Sequence, residues 1–243
     1  MSRLKMFHRF MILFSVTLVF ACGFVASVPQ LRNADNNEIV NVGDSIFALS
    51  GDIYDYLHSW AGESWRHYAI SGTQINGGIF GPSIPEQYET AKADNPNIRV
   101  VYMDGGGNDI LLPAIALDPY NCKTCNYWWC GDLSQKCKDL VDDIYVDAVN
   151  LLNDMGRDNV EQVVYQGYYH TKFGVLGDLS KLSDAVDYGN QRLSQACANA
   201  SVNCVFVDPR SSFQNSYIII DGIHPTKEGS KVLAGLIWNV IDF

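Results

Sequence analysis

Three short stretches of this 243-residue chain hold the residue types that nucleophilic catalysis requires. In the first, Gly43-Asp44-Ser45 follows an apolar run and precedes a helical pattern, so Ser45 stands where a strand hands over to a helix. A serine hydroxyl is a weak nucleophile until a base takes its proton, and that base needs a third group to orient it. Both partners are offered by Asp221-Gly222-Ile223-His224-Pro225. Pro225 biases His224 away from helical dihedrals, so Asp221, in a loop just before it, can hold one ring nitrogen while the other serves Ser45. The third stretch is Gly105-Gly106-Gly107-Asn108-Asp109. It lacks the Lys-Ser/Thr pair of a phosphate loop, and Ile110 stands where a dinucleotide fold needs its last glycine. It reads as a tight turn that aims the Asn108 amide. Taken singly, each stretch also has a plain structural reading: a common turn, a loop leading into a helix, and a turn with a structural asparagine.

The intervening segments must position these stretches. Residues 39–42 read as a strand ending at Gly43, and the helical stretch after Ser45 breaks at Ser50-Gly51-Asp52. Residues 65–70 read as a second strand ending at Ser71-Gly72, and Pro85 opens a polar helix reaching about Ala93. Residues 98–103 are apolar except for Arg99, the pattern of a central parallel strand. Leu140, Val141, Ile144, Tyr145, Ala148, Val149 and Leu152 share one face of an amphipathic helix. A strand at 160–165, a helix at 182–196 and a short strand at 205–207 follow. The last helix begins near Pro225-Thr226 and buries Val232, Leu233, Leu236, Ile237, Val240 and Ile241. Strands alternating with helices predict an α/β fold with a central parallel sheet covered on both faces. Such sheets bind ligands at the carboxyl ends of their strands. Ser45, Gly72 and Asn108 each follow a predicted strand, so their turns converge on one rim.

Taken together, the stretches resemble the sequence blocks of the SGNH (GDSL) hydrolases. Gly43-Asp44-Ser45-Ile46 is similar to the first block, with Ile where many members have Leu. Gly72 falls at the second block's glycine, Gly106-Gly107-Asn108-Asp109 fits the third, and Asp221 to Pro225 fits the last. The blocks run in order from residue 43 to residue 225, which spans nearly all of the chain beyond its leader. The resemblance implies a flavodoxin-like three-layer α/β/α sandwich and ester hydrolysis through an acyl-enzyme. By position it makes Ser45 the nucleophile, His224 the base and Asp221 its orienter. The Ser45 and Gly72 N–H groups and the Asn108 side chain become the oxyanion hole. No cofactor or metal is implied. Asp44, Tyr168, Tyr169, Trp128 and Trp129 are candidate substrate-lining residues, and His170 follows the same predicted strand; packing beneath their own loops is the alternative for these aromatics.

Residues 1–27 read as a signal peptide, with Arg3, Lys5 and Arg9 ahead of an apolar core too short for a comfortable membrane span. Val25-Ala26-Ser27 offers a cleavage site, whereas Val19 to Gly23 resembles a lipobox in which Cys22 would carry a lipid anchor. Residues 28–37 read as a polar linker and 38–243 as one domain with a cysteine-rich insertion at about 119–138. The whole chain carries a net charge of −10, and its leader holds basic but no acidic residues, so the exported part is more acidic still. That balance disfavours nucleic acid as a partner.

Six cysteines follow the leader, an even count that reads as disulfides in an exported protein. Cys197 pairs with Cys204 across a short loop. Cys122, Cys125, Cys130 and Cys137 form two more bridges in one of three pairings, Cys122 to Cys125 being the most strained. Four-cysteine zinc is the rival, disfavoured because a second close Cys pair is missing. The functional expectation is an exported, periplasmic or extracellular esterase acting on short acyl esters or acetylated carbohydrate. An acyltransferase with the same triad, or a non-catalytic binding protein on the same scaffold, is the alternative.

Overall fold

The computed structural model describes residues 28–77, 81–124 and 132–243. The leader with Cys22, and Cys125, Trp128, Trp129 and Cys130, lie outside the described residues.

Alternation of side chains along each strand sets the architecture. In β1 (Asn36–Val42), Val40 and Val42 enter one hydrophobic cluster while Ile39 enters another. The same split runs through β3 (Val100–Met103) and β4 (Gln162–Gln166), where Val101, Met103, Val163 and Tyr165 oppose Val100, Tyr102 and Val164. A sheet with two apolar faces must be covered twice. With β2 (Trp65–His67) and β7 (Cys204–Val207) it forms five parallel strands in the order β2-β1-β3-β4-β7. The strand order reverses between β1 and β3, which is where such sheets place their ligands.

One face is covered by α3 (Ile84–Asp94), α5 (Gln135–Arg157) and α6 (Ser183–Asn199), the other by α1 (Ser45–Ala48), α2 (Asp52–Ala61) and α7 (Lys227–Trp238). The helix starts follow from local chemistry. Ser83 and Glu86 form a capping box on α3, Ser134 accepts from Cys137 N–H at the start of α5, and Thr226 accepts from Gly229 N–H at the start of α7. Each such cap contributes about 1 kcal/mol. Gly51, with φ 77°, turns the chain between α1 and α2 where a helix break was expected.

The structure adds elements the sequence pattern did not indicate. A helix, α4 (Gly107–Ala116), follows the glycine run and carries Pro113 inside it. Glycine and proline are both helix breakers by propensity, which hid it. A small antiparallel pair, β5 (Phe173–Gly174) with β6 (Gly177–Asp178), follows β4. Residues 28–37 are not a free linker. Val28 N–H donates to Ala48 O at 2.9 Å, Leu31 bridges His67, and Asn36 already belongs to β1. Polarity alone made the segment look detached; its backbone groups find partners at the edge strand.

Among the cluster cysteines, Cys122 bonds to Cys137, and Cys197 bonds to Cys204 as expected. The Cys122–Cys137 bridge ties the inserted loop to the first turn of α5, packed with Leu133, Leu179 and Leu182. No group of metal-ligating side chains occurs among the described residues. None of their helices is long and apolar enough to cross a membrane.

Candidate active site

The end of β1 is held by α3 and by the residue just beyond β3. Gln87 of α3 accepts from Gly43 N–H at 2.8 Å and donates to Gly43 O at 3.0 Å. Asp104, just beyond β3, accepts from Asp44 N–H at 2.7 Å. A Cβ at position 43 would overlap that carboxyl, so only glycine allows the close approach. Asp44 then caps α1 by accepting from Ile46 N–H at 3.0 Å, and its other oxygen accepts from Tyr168 OH at 2.8 Å. With both oxygens engaged, Asp44 shapes the turn even though it borders the cavity beside Ser45.

The outcome is a serine at the first residue of α1, with its N–H free of the helix ladder. Ser45 Oγ lies 2.9 Å from His224 Nε2, and His224 Nδ1 lies 2.5 Å from Asp221 Oδ2. Asp221 Oδ1 accepts from the Ile223 and His224 N–H groups at 2.8 and 3.0 Å. Burial works to raise the Asp221 carboxyl. The His224 bond and charge, with those two backbone donors, outweigh it and hold Asp221 below its ordinary value. An ionised Asp221 fixes which nitrogen of His224 carries hydrogen and leaves Nε2 as acceptor for the serine proton.

Backbone and aromatic neighbours support this loop. Gly222 takes φ 86° and its carbonyl accepts from Lys172 N–H at 3.0 Å. Tyr169 OH donates to Ile223 O at 2.6 Å while its ring stacks on Phe213. His170 points elsewhere, toward Asp187, which also pairs with Arg210. Tyr168 and Tyr169 border the cavity beside Ser45.

Asn108 sits in the first turn of α4 and donates from Nδ2 to Thr73 O at 2.9 Å. Its second amide hydrogen has no acceptor among the described residues, and Asn108 and Ser45 border the same cavity. Gly72, with φ 79°, lies in the loop that Asn108 holds. Thr73 also meets Gln87 Nε2 at 3.2 Å, and Asp109 accepts from Ile75 and Asn76 N–H. Gly72 N–H likewise meets no acceptor among the described residues.

Two carboxyls lie buried against each other behind the nucleophile turn. Burial and then the Asp44 charge push Asp104 well above the ordinary carboxylate range. Burial raises Asp44 too, against the bonds from Ile46, Tyr168 and Asp104. Of the two, Asp104 is the more strongly raised, and its Oδ2 has no hydrogen-bond partner among the described residues. Asp109 is pushed up to about 6 by burial, opposed by its two backbone donors. Asp104 carried no motif signal beyond its place at a strand end. Gln87 carried none.

No family model matches the chain, and no curated protein does. Solved structures do. The chain is 18% identical to a Parabacteroides merdae protein assigned as a GDSL-like lipase, over 83% of this chain and 93% of that one, with TM-score 0.57. It is 15% identical to a Slackia heliotrinireducens protein assigned to the SGNH hydrolases, over 84% and 98%, with TM-score 0.55. This is the SGNH hydrolase fold. A variant of an acetyl-xylooligosaccharide esterase from Geobacillus shares it at 16% identity, over 84% and 94%, with TM-score 0.53. In this SGNH hydrolase fold the sheet order and the four sequence blocks agree: the blocks after β1, β2 and β3 lie beside the switch point, and the last block closes on the first.

Proposed function

We propose that this chain is an exported serine ester hydrolase working through an acyl-enzyme. The observation that carries the reading is the continuous relay from Ser45 Oγ through His224 to an Asp221 held by two backbone donors. Ser45 Oγ attacks the ester carbonyl carbon while His224 Nε2 takes its proton. The oxyanion that forms is met by the Ser45 and Gly72 N–H groups and the free Asn108 amide hydrogen, donors worth about 3 kcal/mol each in comparable sites. Collapse breaks the C–O bond to the alcohol, which leaves with the proton from His224. Water, deprotonated by His224, then releases the acid and restores Ser45. The naming of one neighbour as an acetyl-xylooligosaccharide esterase supports ester chemistry on this scaffold. The two disulfides support an oxidising compartment, reached through the leader at 1–27, with Cys22 as the site of any lipid anchor.

The test is covalent. A fluorophosphonate should add to Ser45 in the exported protein, found by peptide mass spectrometry, and should abolish hydrolysis of activated esters. An adduct on another serine, with Ser45→Ala fully active, refutes the assignment.

A further inference from the structure

Ser45 and Asn108 open onto a cavity of about 70 Å³ between α4, α5 and α6. Its walls are hydrocarbon: Ile110 from α4, Val141 and Ile144 from α5, Leu193 from α6, with Leu182 and Ile223 beside them. Beyond the oxyanion donors, most polar side chains around it are already engaged. Asn190 exchanges both amide bonds with the Tyr168 backbone, at 2.9 and 2.6 Å. Thr171 donates to Leu179 O, Tyr168 to Asp44 and Tyr169 to Ile223 O. Arg192 is the exception: it lies over the Tyr145 ring and ion-pairs with Asp142, but its buried Nε has no hydrogen-bond partner among the described residues. A sugar bearing several hydroxyls would leave water here and find few free partners, which is costly. A hydrocarbon chain would lose nothing.

We propose that this cavity is the acyl-chain subsite, and that the enzyme prefers esters of medium-length, unbranched fatty acids over acetyl esters. The inference rests on the ester-hydrolase reading and deepens it. With the carbonyl at Ser45, the chain runs away from the oxyanion donors into the space between α5 and α6, and the alcohol faces solvent. One water-sized sphere needs about 10–15 Å³ on this measure, so the cavity takes about five methylene-sized groups beyond the carbonyl. Position 189 keeps the space open. Gly189 lies inside α6, where glycine is less favourable than alanine, and a Cβ there would meet only Ile110 Cδ1, at 3.8 Å. A larger side chain fits sterically at its root and projects into the cavity.

The experiment is a chain-length series of p-nitrophenyl esters, acetate to dodecanoate, on the exported protein. The expected kcat/KM rises about three- to fourfold per methylene, as for apolar transfer, and stops rising at about the hexanoate or octanoate. Gly189→Phe should lower the octanoate-to-acetate ratio at least tenfold, with Gly189→Ala intermediate. Independently of any variant, an octyl phosphonate should inactivate the parent at least tenfold faster than its methyl counterpart. Ser45 labelled by phosphonate, with a profile flat or falling from acetate, would overturn the acyl subsite and leave the hydrolase reading standing. A ratio unchanged in a folded Gly189→Phe would do the same. Absence of any Ser45 adduct and of any ester hydrolysis would instead overturn the hydrolase reading beneath it.

Discussion

Replacing Asp104 by asparagine asks whether the carboxyl behind the nucleophile turn carries a proton. Asp104 is fully buried, its Oδ1 accepts from Asp44 N–H at 2.7 Å, and its Oδ2 has no hydrogen-bond partner among the described residues. Asparagine is nearly isosteric with the neutral acid: its oxygen still accepts from Asp44 N–H, and its amide stands where the acid carries its hydroxyl. Below the ordinary carboxyl value of 3.8, where the folded and unfolded acids are both neutral, stability should therefore stay within about 1 kcal/mol of the parent. Asp104→Ala leaves that buried N–H without an acceptor and opens a void, a loss of about 2–4 kcal/mol. The pH dependence sharpens the contrast. A carboxyl raised above its ordinary 3.8 binds in the folded state a proton that the unfolded chain has released. Its favourable contribution is complete below that ordinary value and is lost as pH rises toward the folded value. Within that window each such group lowers stability by about 1.4 kcal/mol per pH unit. As pH rises above that ordinary value, urea unfolding of the parent should accordingly lose stability more steeply than Asp104→Asn, by about that slope. Parallel pH dependences, or an asparagine variant as unstable as the alanine one, would refute a protonated Asp104.

Three further outcomes are expected. Asn108→Ala should lower kcat by about 10²–10³ with KM little changed, and should also depress Tm because Thr73 O loses its donor; a change confined to KM would make Asn108 a ground-state binding residue. Asp221→Asn should cut kcat by about 10⁴ in steady-state ester assays with the fold retained by circular dichroism, since an amide at 221 no longer selects the working tautomer of His224; a loss below about tenfold contradicts that role. With Cys122 bonded to Cys137 and Cys197 to Cys204, non-reducing peptide mapping should find Cys125 joined to Cys130 and no stoichiometric metal, and Cys122→Ser/Cys137→Ser should cost about 3 kcal/mol in urea unfolding from loop entropy. Free thiolates with one bound zinc would overturn the disulfide assignment.

The sequence by itself determined the local pieces. Short apolar runs placed the five core strands and period-3.6 patterns most helices, because burial on two faces leaves so direct a trace. The Ser45, Asn108 and Asp221-to-His224 stretches were legible because sharp turns demand particular residues at fixed spacing: glycine for the turns, proline after His224. What lay beyond the sequence was whatever depends on distant parts of the chain meeting. Residue 224 reaches Ser45 only because the sheet order returns the chain's end to the switch point. Gln87 and Asp104 look like ordinary surface polar residues until α3 and β3 bury them against Gly43. Helix α4 was hidden by Gly107 and Pro113, whose low propensity is overridden by packing of Ala114 and Ile110 beneath the inserted loop. The choice of Cys137 as partner for Cys122 was likewise tertiary, since spacing alone allowed three pairings and only the docking of α5 brings those two sulfurs together. The cavity beside Ser45 belongs to no segment, because its walls come from α4, α5 and α6 and exist only where their faces fail to close.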